Sequence, residues 1–335
     1  MTPDGFHDLT GFTETSYADT QAKLTVMGST LRSTVNGQSY QIGTLETLSL
    51  AELRARALGV AAARAGRLTV SSVVGDAAAL HRDPANHGAL FEVASQFNLL
   101  EMTGPHVTPE DGVACYAHDR TQGPACAVAA GAATIYRNYC LPVDGEAGQT
   151  RHRQVDCLRD MGAALGNDSQ TLWTMQNGYA LCSESGLTVI TRRLGAMSGH
   201  ERDALRDVLR VGLHWDVQVT GLARTDLRVS QAFCSALPVS YTNVPLTRWQ
   251  AFASLVLEGA YEATLWAAVL NAQRTGSHVL FLTHLGGGAF GNDRTWIDAA
   301  MRRALHRVRG LDLDVRIVSY READASVLRL VAEFA

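Results

Sequence analysis

Eight consecutive residues, Gly286-Gly287-Gly288-Ala289-Phe290-Gly291-Asn292-Asp293, constrain this chain more than any other stretch because of what flanks them. The apolar run His278-Val279-Leu280-Phe281-Leu282-Thr283 before them has strand character, and residues 296–305 after them carry apolar side chains at helical spacing. A strand, a glycine-rich turn and a helix start gather bare N–H groups and the positive end of a helix around one point, where a phosphate is expected. Gly286, Gly288 and Gly291 also satisfy the dinucleotide pattern G-x-G-x-x-G. In a dinucleotide-binding domain, however, that turn follows the first strand and further strand-helix units complete the sheet. Here one helix and one strand, residues 315–320, follow it, so the turn is expected to close a sheet and a nicotinamide-dependent oxidoreductase is disfavoured.

A chain of 335 residues with 46% hydrophobic content can bury one large core or two small ones. Its net charge of −4 argues against a nucleic-acid surface as the main site, since binding to a phosphate backbone calls for a basic face. Cys115, Cys126, Cys140, Cys157, Cys182 and Cys234 show no C-x-x-C and no paired Cys/His spacing. They read as reduced thiols, and neither a metal nor a cofactor is expected. Residues 1–11 lack the basic start and apolar core of a secretory signal. The longest apolar region, residues 260–270, is interrupted by Glu262 and is too short to span a bilayer, so the expected place is the cytoplasm, with no membrane partner.

The expected organisation is an N-terminal extension, 1–65, packed on a core, 66–335, that carries an elaboration at about 145–230. Residues 1–20 read as a frayed terminus, Asn36-Gly37 as a hairpin turn, and Ser49 with Glu52 as a capping box that opens a helix. Residues 68–74 and 89–97 read as strands. The second leads into a loop of about twenty residues with Pro105, Pro109 and Gly112, and a loop that long inside a domain is usually functional. Residues 123–133 suit a tightly packed small-residue helix. Gln176-Asn177-Gly178-Tyr179 reads as a turn, 187–191 as a strand, Ser198 with Glu201 as a second capping box, 231–239 as strand-like and 249–272 as a long helix.

With its parts in this order the chain resembles the macrodomain superfamily, and most closely the poly(ADP-ribose) glycohydrolase-like branch. Members of that branch end their second phosphate loop with a strand, a Gly-x-Gly-x-Phe-Gly-(Gly/Asn)-Asp turn and a helix, as residues 286–293 do here. Val73-Val74-Gly75-Asp76 looks like the strand-end Gly-Asp whose carboxylate holds the adenine amine. Phe91-Glu92-Val93-Ala94-Ser95-Gln96-Phe97-Asn98 looks like the strand leading to the ribose-binding Asn, and Ser235-Ala236-Leu237-Pro238 like the strand before the last helix and loop. Within the branch the chain is most similar to effector-type macrodomains, of which the MavL type removes ADP-ribose from arginine. The resemblance implies an α/β fold, three-layered α/β/α with a mixed, mostly parallel sheet. It implies ADP-ribose or an ADP-ribosylated protein as partner, ubiquitin among the candidates. The binding residues it implies are Asp76, Asn98, Gln122, Gly123, Gly286, Gly287, Gly288, Ala289, Phe290, Gly291 and Asn292.

In that branch the long loop after the second strand ends in Gln-Glu-Glu, whose carboxylates serve the reacting ribose. This chain keeps Gln122 but has Gly123-Pro124 in place of the two glutamates, which argues against poly(ADP-ribose) cleavage. Other carboxylates, Glu101, Glu110, Asp111 and Asp119, lie on the same loop. Breaking a glycosidic bond at ribose C1″ passes through an oxocarbenium-like transition state, helped by a carboxylate that orients water and a donor for the leaving group. Asp119, just before Thr121-Gln122, is the first choice of catalyst and Asp111 the second. Glu101 is expected to bond a ribose hydroxyl or the target guanidinium. Two functional readings remain: a hydrolase that frees ADP-ribose from a modified side chain, arginine foremost, and a module that binds ADP-ribose or a related nucleotide without cleaving it.

Overall fold

Strands that are apolar almost without interruption belong in the middle of a sheet covered on both faces. Two such runs lie side by side at the centre of a seven-stranded sheet in the computed structural model, which describes residues 3–221 and 226–335. In chain order the strands are β1 Thr44–Ser49, β2 Thr69–Val74, β3 Leu90–Ala94, β4 Arg210–Gln218, β5 Arg228–Cys234, β6 Val279–Leu282 and β7 Asp314–Ser319. Across the sheet they run β1-β4-β5-β3-β6-β7-β2. From β5 to β2 every pairing is parallel, whereas β4 is antiparallel to both its neighbours.

Alternation along β3 and β6 divides their side chains between two layers. Leu90, Leu280 and Leu282 join the large apolar cluster with helices α5 Leu246–Thr275 and α6 Arg294–Arg307. Phe91 and Phe281, stacked at 4.5 Å, face the other way, toward Ala130 and Ala133 where α3 Gln122–Ala129 meets α4 Gly131–Tyr139. The fold is therefore α/β, a mixed and mostly parallel sheet between two helical layers. α5 is buried on nearly every turn, from Trp249 to Ala272, as befits a helix that forms the spine of its layer.

Residues 1–65 contribute an edge strand, β1, and then α1 Leu50–Ala61. Ser49 accepts the N–H of Glu52 at 3.2 Å while Glu52 accepts that of Ser49 at 2.8 Å. Upstream, Leu24–Met27, Thr30–Ser33 and Ser39–Gln41 form a small antiparallel sheet with Asn36-Gly37 in its second turn. The frayed terminus is not what forms from residue 3 onward; residues 1 and 2 lie outside the described part. Pro3–Thr10 and Tyr17–Ala22 are helices, because Phe6, Leu9 and Phe12 find buried partners in Val113, Tyr116, Ile135 and Tyr139.

Within 145–230, β4 and the first residues of β5 belong to inner strands of the central sheet. The strand expected at 187–191 is instead the middle of helix Glu184–Ala196, capped by Ser183. Leu187, Ile190 and Leu194 all point inward there, and this burial outweighs the β-branched run around them. Trp173–Gln176 and Tyr179–Cys182 pair as a hairpin, with Asn177 (φ 47°) and Gly178 (φ 79°) both left-handed as its two-residue turn demands. Expected strand 89–97 ends at Ala94, and the helix expected over 123–133 breaks at Ala130.

Beyond Phe281 the β3–β6 ladder gives way to a side chain. Glu92 accepts the N–H of Thr283 at 3.0 Å and the hydroxyl of Thr264 at 3.3 Å, and burial pushes its carboxyl up to about 8. The folded state thus keeps a proton that the unfolded chain releases near 4.5. Its contribution to stability is full below that value and is lost as pH rises through about 8. Thermal melting points should fall between about pH 6 and 8.5, and Glu92→Gln, neutral throughout, should flatten the fall. A variant that loses as much as the parent over that range would assign the dependence to other groups.

Candidate functional site

Five parallel strands deliver their carboxyl ends to one edge of the sheet, the edge where open α/β folds bind ligands. A cavity of about 540 Å³ opens there, within the range of small-molecule sites. Each strand end contributes: Gly75 and Asp76 after β2, Ser95 and Gln96 after β3, Ala236 after β5, Thr283 and His284 after β6, Tyr320 and Arg321 after β7.

The glycine turn forms one wall. Gly286 (φ 73°) and Gly291 (φ 70°) adopt left-handed backbone, which frees the turn to close through Asn292 N–H to Gly286 C=O at 2.9 Å and Gly291 N–H to Gly288 C=O at 3.0 Å. A side chain at either position would collide, with Ala236 in the first case and Ser240 in the second. Gly286, Gly288, Ala289 and Phe290 line the cavity. The other three residues expected to bind do not line it: Gly287 and Gly291 shape the turn, and Asn292 is buried with its amide donating to Leu237 C=O at 2.8 Å.

The helix start behind the glycine turn is already capped. Asp293 caps α6, accepting from the N–H of Thr295 at 2.8 Å, so the positive end of that helix already has its anion. The start of α3 is the one that faces the cavity with Thr121 giving no side-chain cap, and Thr121, Gln122 and Gly123 line the wall. Gly123 is obligatory at this spot, because any side chain would run into the carbonyl of Ala94 at the end of β3. The Gln122 side chain is turned to the sheet, accepting the Ala94 N–H at 2.9 Å and donating to Glu92 C=O at 2.7 Å.

The carboxylates separate into those at the cavity and those away from it. Asp119 lines the wall and accepts the N–H of Thr121 at 2.8 Å. Glu101 lines it from deeper in: burial pushes its carboxyl up to about 7, against the opposing pull of Arg137, whose guanidinium lies 3.3 and 3.4 Å from its two oxygens. Asp111 is not at the cavity. It caps the short turn Pro109–Asp111, accepting the N–H of Thr108 at 2.8 Å and its hydroxyl at 3.0 Å. Asn98 is not there either, although expected as the ribose contact. The chain reverses at Leu99 (φ 66°), and Asn98 becomes a fully buried strut between Gln154 and the N–H of Leu100, leaving Ser95 and Gln96 as the cavity residues after the strand. Asp76 does line the cavity, with one oxygen capping α2 Ala77–Arg82 through Ala79 N–H at 2.9 Å.

Several lining residues gave no signal in the sequence. Tyr179 and Tyr241 form an aromatic corner with Phe290, ring centres 5.1 to 5.6 Å apart, and the Tyr179 hydroxyl donates to Met102 C=O at 2.7 Å. The turn at Asn177-Gly178 announced the hairpin that bears Tyr179, though not what the hairpin faces. His284 lies 2.9 Å from an Arg294 nitrogen, and burial together with that guanidinium pushes it down to about 4, leaving it a neutral acceptor. Among the described residues no group of His, Cys, Asp and Glu could hold a metal ion, and no helix is long and apolar enough to cross a membrane.

No protein-family model matches the chain, and no curated protein is a significant match. Among solved structures it is similar to the poly(ADP-ribose) glycohydrolase from Thermomonospora curvata, at 14% identity and a TM-score of 0.47 over 95% of this chain and 97% of that one. It is also similar to the glycohydrolase from Deinococcus radiodurans in complex with ADP-ribose, at 10% identity and a TM-score of 0.47 over 87% and 95% of the two chains. These are likenesses in chain course, and no residue role is carried over from them.

Gly288 offers the cleanest probe of the turn. A Cβ there would meet nothing within 4 Å and the backbone is not left-handed, so Gly288→Val should fold normally while projecting its side chain into the cavity. Loss of nucleotide-sugar binding by about a hundredfold in calorimetry, with an unchanged melting point, is the expected outcome. Unchanged affinity would remove this turn from the site.

Proposed function

We propose that the cavity binds ADP-ribose, with the diphosphate between the glycine turn and the start of α3, and that the protein removes ADP-ribose from modified side chains, arginine foremost. The observation that carries this reading is the pairing of an uncapped helix start with two carboxylates in contrasting surroundings, Asp119 half-buried and Glu101 fully buried, on one wall. Backbone N–H groups take the diphosphate without formal charge. Asp119 then orients a water whose oxygen bonds to C1″ and takes its proton as the C1″–N bond breaks, the guanidinium leaving as neutral guanidine with the electron pair and then receiving that proton from Asp119. Glu101, near neutrality in its own titration, bonds the ribose hydroxyl or the departing guanidinium. Asp76, Glu101, Asp119, Glu322 and Asp324 line the cavity against Arg120 and Arg321, a balance suited to a cationic guanidinium at the scissile end. The deep burial of Glu101 and its pairing with Arg137 favour the second reading, a module that binds without cleaving.

Poly(ADP-ribose) should be shortened poorly, because position 123 has no room for a glutamate and Pro124 follows it. Efficient chain shortening by purified protein would overturn that. Asp119→Asn should reduce release of ADP-ribose from mono-ADP-ribosylated arginine by about a hundredfold with ADP-ribose affinity nearly unchanged, the effect of losing one acid-base group. Full activity in Asp119→Asn together with loss in Glu101→Gln would move the catalyst to Glu101. A parent inactive on arginine, serine and glutamate linkages would leave the binding module.

A further inference from the structure

Glu14 reaches the candidate site from behind, without lining it. Placed between helices Pro3–Thr10 and Tyr17–Ala22, it sends its carboxylate into the outer side of the loop that carries Glu101 and Asp119. The two oxygens accept the N–H of Val113 at 2.9 and 3.1 Å, the N–H of Ala114 at 2.8 Å and the hydroxyl of Tyr139 at 2.8 Å. Gly112 (φ 84°) lies so close that a Cβ would collide with the carboxylate. These contacts supply what the short turn Ala114–His118 lacks: Val113 gives it no side-chain cap, and an anion is brought instead from a distant part of the chain.

That turn leads to both carboxylates of the cavity wall. Tyr116, fully buried within it, accepts the N–H of Glu101 on its hydroxyl at 3.4 Å, and its carbonyl accepts the N–H of Asp119 at 3.2 Å. The opposite end of the Glu14 clamp is Tyr139, two residues along α4 from the Arg137 that holds Glu101. Other ties keep the N-terminal segment attached whatever happens at Glu14. The Tyr17 hydroxyl donates to Asn138 C=O at 3.0 Å, the Gln21 amide donates to Tyr139 C=O at 2.7 Å, and Phe6, Leu9 and Phe12 are buried.

We infer that Glu14 is a positioning residue, a carboxylate from the N-terminal segment that clamps residues 112–118 and thereby sets Glu101 and Asp119 at the cavity; its effect on rate rests on the hydrolase reading. In Glu14→Gln, hydrogen exchange at the Val113 and Ala114 amides should speed up. The kcat for release from ADP-ribosylated arginine should fall about tenfold or more, with KM and ADP-ribose affinity within about twofold, because misplacing a catalytic group costs rate more than binding. A role confined to stability would lower the melting point and leave kcat per folded molecule unchanged, which would overturn the inference. If the parent cleaves no linkage, the hydrolase reading falls separately. The clamp is then judged by exchange across 112–119, where protection equal to the parent's in Glu14→Gln would refute it.

Discussion

The guanidinium of Arg137 has no access to water, and the arrangement around the cavity depends on how that charge is met. It stacks on the ring of Phe233 in β5 at 4.0 Å, donates to the carbonyl of Leu99 at 3.0 Å and to the hydroxyl of Thr134 at 3.1 Å, and faces both oxygens of Glu101. A buried cation left unpaired is strongly destabilising, so Leu99 must hold its left-handed turn and Glu101 must stay within reach. The same burial acts on the carboxylate in the opposite sense, pushing it up to about 7 while Arg137 pulls it down. One ion pair therefore joins the central sheet, α4 and the long loop, and leaves at the cavity wall an acid whose charge is poised to change near neutral pH.

Around that pair the site is assembled from segments far apart in the chain. The ends of β3 and β7 line it together with the residues just past β6, the glycine turn forms one wall, the start of α3 another, and the hairpin 173–182 an aromatic corner through Tyr179. Each wall is fixed by a contact that excludes alternatives: Gly123 against the Ala94 carbonyl, Gly286 against Ala236, Asn292 to Leu237. Such steric and hydrogen-bonded fixing holds the backbone N–H groups of the walls in set directions.

Features decided within a few residues were legible in the sequence. The capping boxes at Ser49 and Ser198, the Asn177-Gly178 turn, the glycine turn after β6 and the long helix α5 all form where local chemistry places them. Features decided by distant partners were not. Residues 184–196 chose helix because of what Leu187, Ile190 and Leu194 pack against, and the terminal helix Pro3–Thr10 forms because Val113 and Tyr139 wait for it. Asn98 and Asp111 carried the right side chains at plausible distances along the loop, but the reversal at Leu99 buried the first and the cap at Thr108 holds the second, exposed, away from the cavity. Asp293, read as part of an anion-binding turn, instead caps its own helix.

The proposed function puts ADP-ribose in this one cavity with its reacting carbon beside the acidic loop. A crystal structure of the protein with ADP-ribose tests this most directly. The expected result is diphosphate oxygens within hydrogen-bonding distance of backbone N–H groups at Gly288 to Phe290 and at Gln122 or Gly123, with C1″ facing Asp119 and Glu101. Ligand bound elsewhere, or seated in the cavity with C1″ pointing away from both carboxylates, would contradict it.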